Sequence, residues 1–170
     1  MLAALNCQKV YTGELQWNHD GLWLPHDETV AAVAAHKPDM LFFAGDQIYE
    51  GDLTPVDTKN LNLDYLYKWY RWCWAFGELT RDRPTVVIPD DHDVYHGNIW
   101  GAGGKRAVKA DGLSAQDSGG YRYPAEFVNV VHRTQTSHLP DSPDPAPIEQ
   151  GISVYFTDLD WGGVSSAILG

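Results

Sequence analysis

The chain has 170 residues, the size of one domain, and 44% of them are hydrophobic, enough to bury a core and to exclude disorder throughout. Its formal net charge of -11 excludes the basic footprint of a nucleic-acid-binding surface and an electrostatic grip on anionic lipid. An acidic chain also repels phosphate at long range, so a phosphate site on it needs cations to reverse the local sign. Cys7 and Cys73, the two cysteines, make no disulfide framework. No apolar run is long enough for a membrane span.

Leu2–Asn6 is a short apolar run and predicts a buried strand. Tyr11–His26 mixes Gly, Asn, Asp and Pro with aromatics and reads as a loop. Asp27 can cap a helix from Glu28 to His36, with Val30, Val33 and Ala34 on one face, and Pro38 stops it. Met40–Ala44 is continuously apolar, the pattern of a strand covered on both faces. From Asn62 to Leu79 the residues Leu63, Leu66, Tyr67, Tyr70 and Trp74 recur at helical spacing. Tyr67, Tyr70 and Trp74 are therefore expected in the core. Thr85–Ile88 is a second buried-strand pattern, ended by Pro89.

The order strand, helix, strand, helix, strand predicts an α/β fold on a parallel sheet. His96–Ser118 is rich in Gly and polar residues and reads as a long loop. Tyr123–Thr134 fits a helix. The proline-rich stretch Ser137–Gln150 is a loop. Ile152–Asp158 and Gly163–Leu169 fit an antiparallel pair turning around Asp160-Trp161-Gly162.

Two of the expected strands end in acidic clusters, Gly45-Asp46-Gln47-Ile48-Tyr49-Glu50 and Asp90-Asp91-His92-Asp93. Sites in open α/β sheets lie beyond the carboxyl ends of strands. At one rim these carboxylates repel one another unless cations neutralise them. Carboxylate oxygens suit hard cations and His suits transition metals, so the residues read as a site for more than one ion. Gly-Asp after a strand is also ordinary turn chemistry, and Asp-Asp-His-Asp alone could be a solvated turn. It is the conjunction at two strand ends that favours metal.

Gly45-Asp46-Gln47-Ile48-Tyr49 resembles the Gly-Asp-x-x-Tyr motif of the purple acid phosphatase type of metallophosphoesterase. With Glu50 added, and with Asp90-Asp91-His92-Asp93 in place of Gly-Asn-His-Asp/Glu, it is similar to the PhoD-like, or alkaline phosphatase D, family. Asn6-Cys7-Gln8 resembles that family's Ser-Cys-Gln, with Asn6 replacing Ser. Gly97-Asn98-Ile99-Trp100-Gly101 and Thr134-Gln135-Thr136-Ser137-His138-Leu139-Pro140 also look like family sequence.

The resemblance implies a calcineurin-like αββα sandwich, hydrolysis of phosphate monoesters or diesters, and one ferric ion with calcium. It implies that Asp46 bridges the metals, that Tyr49 and Cys7 bind iron, and that Asp91 binds a second ion. His92 would act as general acid or hold a phosphate oxygen, with Asp93 orienting it.

Each residue has a plainer reading. Cys7 can be a small core residue, Tyr49 a packing residue and Asp90 a turn former. Asn98 is a weak ligand candidate. His96 and His138 read as loop histidines, and Lys105, Arg106 and Arg133 as surface charge rather than phosphate contacts.

The family's later Ser-Gly-Asp-x-His-like motif does not follow Asp93. The expectation is a single partial catalytic domain over 1–170, truncated at the C-terminus and weakly active or inactive alone. The start has no charged region or cleavage site of a signal peptide; export of the parent protein is implied by resemblance only. The rival functions are a non-catalytic divalent-cation-binding domain on the same acidic rim, and a related metal hydrolase acting on other esters, such as a sulfatase or phospholipase.

Overall fold

Three short strands, β1 (Leu2–Leu5), β2 (Met40–Ala44) and β3 (Thr85–Ile88), form a parallel sheet in that order. The structure is a computed structural model; it describes residues 1–9, 26–52, 54–97, 99, 104–108 and 119–170. The central strand pairs on both sides, Ala3 with Leu41 and Leu41 with Thr85. Its Leu41 and Phe43 are fully buried, as a continuous apolar run on a central parallel strand requires. At the edge, Leu2 of β1 is exposed.

Helix α1 (Asp27–Ala35) leads from β1 to β2, and α2 (Leu61–Ala75) with α3 (Gly77–Thr80) leads from β2 to β3. Asp27 lies inside the first turn of α1, after His26, rather than capping it. The single helix expected over 62–79 is broken at Phe76, which ends α2 and caps α3. Helix α4 (Ala125–Thr136) packs against β3. Strands β4 (Phe156–Trp161) and β5 (Val164–Leu169) form a separate antiparallel hairpin. Its turn is Gly162-Gly163, one residue later than the sequence indicates, and both glycines have positive φ. The elements together make a mixed α/β chain with a parallel sheet. Among the described residues, no helix is long and apolar enough to cross a membrane.

The packing of α2 overturns one expectation. Tyr67, Tyr70 and Trp74 are exposed, with Leu63 and Leu66 beside them. The buried side carries Tyr65, Trp72, Asp64 and Lys68. Aromatic residues occupy both faces of this helix, so periodicity alone selects no face. A paired acid and base buried on the inner face, treated as polar, disguised that face. Phe43 meets Trp72 and Phe76 edge-on, with ring centroids 4.8 and 5.3 Å apart. That geometry suits aromatic rings, and burial of each stabilises the fold by about 1.5–3 kcal/mol.

The loop expected over Tyr11–His26 lies outside the described residues, His26 excepted. So do Asn98, Trp100, Gly101 and most of the loop expected over His96–Ser118. Within that stretch, His96 lies in a loop as expected but is buried, and its backbone N–H donates to the carbonyl of Asp91 at 3.0 Å.

Candidate metal centre

Parallel pairing sends the chain out of all three strands at the same end. Past β1, the Cys7 N–H donates to the carbonyl of Gly45 at 3.2 Å and the Gln8 N–H to that of Asp46 at 3.1 Å. The ladder thus runs on into the loop and carries Cys7 alongside Asp46. Gly45 has φ of +100°, and a Cβ placed on it would lie 2.4 Å from Cβ of Asp90. Only glycine lets the first acidic loop approach the second so closely. Cys7 and Asp46 also hold positive φ, 53° and 57°. Two non-glycine residues in the left-handed region side by side mark stored strain, which the surrounding contacts sustain.

Asp46 is the hub. Its Oδ2 accepts from the Tyr49 hydroxyl at 2.9 Å and from Cys7 Sγ at 3.4 Å. Its Oδ1 accepts from the backbone N–H of His92 at 3.3 Å. Asp91 Oδ1 takes the same N–H at 2.8 Å and caps the 3-10 turn His92–Val94. Ligand atoms of Asp46, Asp91 and His92 all lie within 4.8 Å of one another. A thiol, a phenol and two carboxylates thus gather beside an imidazole, a set of groups that could hold a metal ion.

The electrostatics agree with that. Burial, then the hydrogen bond to Asp46, holds the Tyr49 phenol well above its ordinary pKa. The Cys7 thiol is exposed, yet desolvation and the neighbouring Asp46 carboxylate leave it raised as well. Burial and Asp46 also raise Asp91. A cation among these groups would act against these shifts, favouring the thiolate, phenolate and carboxylate forms.

His92 is oriented by a residue other than the expected one. Its Nδ1 lies 2.9 Å from Oε2 of Glu50, and its ring packs on Tyr49 at a centroid distance of 4.2 Å. The Glu50 bond raises the His92 pKa despite burial. Burial pushes the Glu50 carboxyl up, but the His92 bond and its own loop amide outweigh that and leave it lowered.

Asp93 is fully buried beneath the loops and does not touch the His92 ring. It accepts the backbone N–H groups of Asp46 at 2.7 Å, Ile48 at 2.9 Å and Asp90 at 2.9 Å, and Gln135 Nε2 at 2.9 Å. Its short side chain points under the turn, where it fixes the shape of both loops. Burial still lifts its pKa to about 7.

Gln135 of α4 has no counterpart in the sequence-based site. Its Oε1 accepts from Gln47 Nε2 at 2.9 Å, and Gln47 Nε2 also reaches the carbonyl of Ile88 at 2.9 Å. A usable signal exists: Gln135 continues the buried stripe Val128, Val131, His132 of α4, a polar residue at a core position. Asp90 behaves as the turn former, its Oδ1 accepting from the Asp91 N–H at 2.9 Å. Lys105, Arg106, Arg133 and His138 are exposed, and His138 Nε2 lies 3.0 Å from the carbonyl of Thr85. Asp90 and Asp91 also wall a cavity of about 390 Å³ that Val94, Tyr121, His132 and Ile148 help to line.

No family model and no curated protein matches this chain. The solved structure of PhoD matches with a TM-score of 0.53 and 16% identity, over 98% of this chain and 30% of that one. The likeness is one of fold, and this chain spans under a third of the PhoD chain.

Proposed function

We propose that these residues belong to the catalytic site of a metal-dependent phosphoesterase, similar to alkaline phosphatase D, that hydrolyses phosphate monoesters or diesters. The observation that carries this reading is the convergence of Cys7 Sγ and Tyr49 OH on a single oxygen of Asp46, beside Asp91 and His92. A solvated acidic turn has no use for a thiol and a phenol aimed at one carboxylate. The proposal includes the αββα sandwich plan, with 1–170 as one part of that catalytic domain. A fold likeness confined to part of a longer chain supports it.

In this reading Cys7, Tyr49 and Asp46 would hold a ferric ion, and Asp91 with Asp46 a second ion, calcium by resemblance. Bound ions would polarise the phosphoryl group and lower the pKa of a coordinated water. The remaining work falls to the chain. Glu50 takes the Nδ1 proton of His92 in a hydrogen bond, which turns Nε2 toward substrate. That hydrogen bond, despite burial, strengthens the hold of the imidazole on its proton. From Nε2 the imidazole donates to a phosphoryl oxygen, or its proton to the departing alkoxide. The cavity beside Asp91 receives the organic half of the ester. Asp93 and Gln135 hold both loops in register while this happens.

The test is metal content and visible absorption of protein prepared with iron and calcium, against Tyr49→Phe. Bound iron with a phenolate-to-iron charge-transfer band, lost in the variant, is the expected result. Protein that binds no iron and shows no band overturns the reading.

A further inference from the structure

We infer that Asp64, Lys68 and Tyr95 are positioning residues for His92: a buried clamp that sets the spacing of the two acidic loops. The inference rests on the role proposed for His92. Lys68 and Asp64 stand one turn apart on α2, almost wholly buried, with Nζ 2.9 Å from Oδ2. The clamp grips both loops. Lys68 Nζ also donates to the backbone carbonyl of Glu50 at 2.7 Å, at the end of the first loop. The Tyr95 hydroxyl donates to the same Asp64 oxygen at 2.7 Å.

Tyr95 ends the 3-10 turn that His92 begins, and its φ of 61° is held in the left-handed region. Its ring centroid lies 5.1 Å from Lys68 Nζ, so the ammonium caps the ring as well. The Glu50–His92 contact therefore has Lys68 fixing the backbone on its acid side and Asp64, through Tyr95, on its imidazole side.

A buried ion pair adds little net stability over apolar residues of equal volume. Here it costs desolvation of two charges, yet neither charge reaches solvent or the donor cluster. What it does supply is direction: Lys68 spends its donors on a loop carbonyl and a carboxylate that is itself engaged on the other side. An apolar pair would fill the same space with no hold on Glu50 or Tyr95.

The experiment uses the metal-free chain, so that it is independent of iron loading. The readout is the hydrogen-bonded Nδ1 proton of His92 in proton NMR, recorded beside urea unfolding. The wild type is expected to show the resonance. The double variant Asp64→Leu with Lys68→Met is expected to lose it while its unfolding transition stays cooperative. Tyr95→Phe removes one hydroxyl, keeps the ion pair and guards against a double variant that fails to fold; its expected result is a broadened resonance with faster solvent exchange.

An unchanged resonance in a folded double variant, or in Tyr95→Phe should the double variant not fold, overturns the clamp. Its absence from the wild type does the same, since the contact to be held is then not formed. Failure of the phosphoesterase reading shows separately, as the missing iron band.

Discussion

Glu50 and His92 come from different loops, and their side chains meet at 2.9 Å between Oε2 and Nδ1. The contact holds the imidazole in one orientation and leaves its other nitrogen outside that hydrogen bond. Partners of this kind typically change activity by 10–100-fold. On the proposed phosphoesterase reading, Glu50→Ala is expected to lower whatever turnover the metal-loaded protein shows on bis(p-nitrophenyl) phosphate by about that factor. Iron content, measured on the same samples, should stay at the wild-type level, because Glu50 is not in the donor set. Equal turnover in variant and wild type would remove Glu50 from the site.

Gly45→Ala tests the close approach of the two loops. The new methyl would have to occupy space 2.4 Å from Cβ of Asp90, at a φ that disfavours any side chain. Overpacking of this kind costs roughly 1–3 kcal/mol, with backbone strain added. A lowered urea midpoint is expected, together with weaker metal binding, because the displaced loop carries Asp46. A midpoint equal to wild type would show that the loops have more room than the structure gives them.

The two faces of α2 predict opposite outcomes for aromatic residues. Trp72 is buried among Phe43, Trp69 and Phe76, and Trp72→Ala is expected to cost about 3–5 kcal/mol. Tyr70 is exposed, and Tyr70→Gln should stay within about 0.5 kcal/mol of wild type. Denaturant unfolding of the two variants checks both. The reverse ranking would mean that α2 is rotated.

How far the fold could be read from the sequence differs from element to element. Strands β2 and β3 were legible because a strand covered on both faces must be apolar throughout, and Met40–Ala44 and Thr85–Ile88 are bounded by Gly45 and Pro89. The placement of Asp46 and Asp91 at one rim was legible for a related reason: acidic residues that follow buried parallel strands stand at the sheet's carboxyl end. The inner face of α2 was not, since a polar pair such as Asp64 and Lys68 is counted as surface until its partner geometry is known. Nor was the division of labour between Asp93 and Glu50. Adjacent residues in a 3-10 turn point in different directions, and adjacency to His92 says nothing of which carboxylate meets the ring. Gln135 lies far from the loops in sequence, and only tertiary packing brings it to Asp93.

His132 sets a pH dependence outside the donor cluster. Burial pushes its pKa down to about 4, and its Nδ1 is buried with no hydrogen-bond partner among the described residues. The unfolded chain binds a proton near pH 6.5, whereas the folded chain stays neutral until about pH 4. The contribution of this residue to stability is thus complete above pH 6.5 and is lost as pH falls toward 4. Its full size is about 3 kcal/mol, because each tenfold loss of proton affinity on folding is worth about 1.4 kcal/mol. Urea unfolding from pH 7 to pH 4 should show a fall that His132→Leu reduces. Identical slopes in both proteins would place the titration elsewhere.

The donors of the candidate centre leave from the ends of three strands, with Cys7 and Asp46 separated by 39 positions along the chain. In the unfolded chain they are scattered, and gathering them means closing long loops against entropy. Only the assembled sheet presents them together. Any ion that binds them binds the folded form alone, and mass action then makes its free concentration a thermodynamic variable of folding. Metal availability would set how far the folded chain's stability rises above that of its metal-free form, and a chelator would bring the urea midpoint back down.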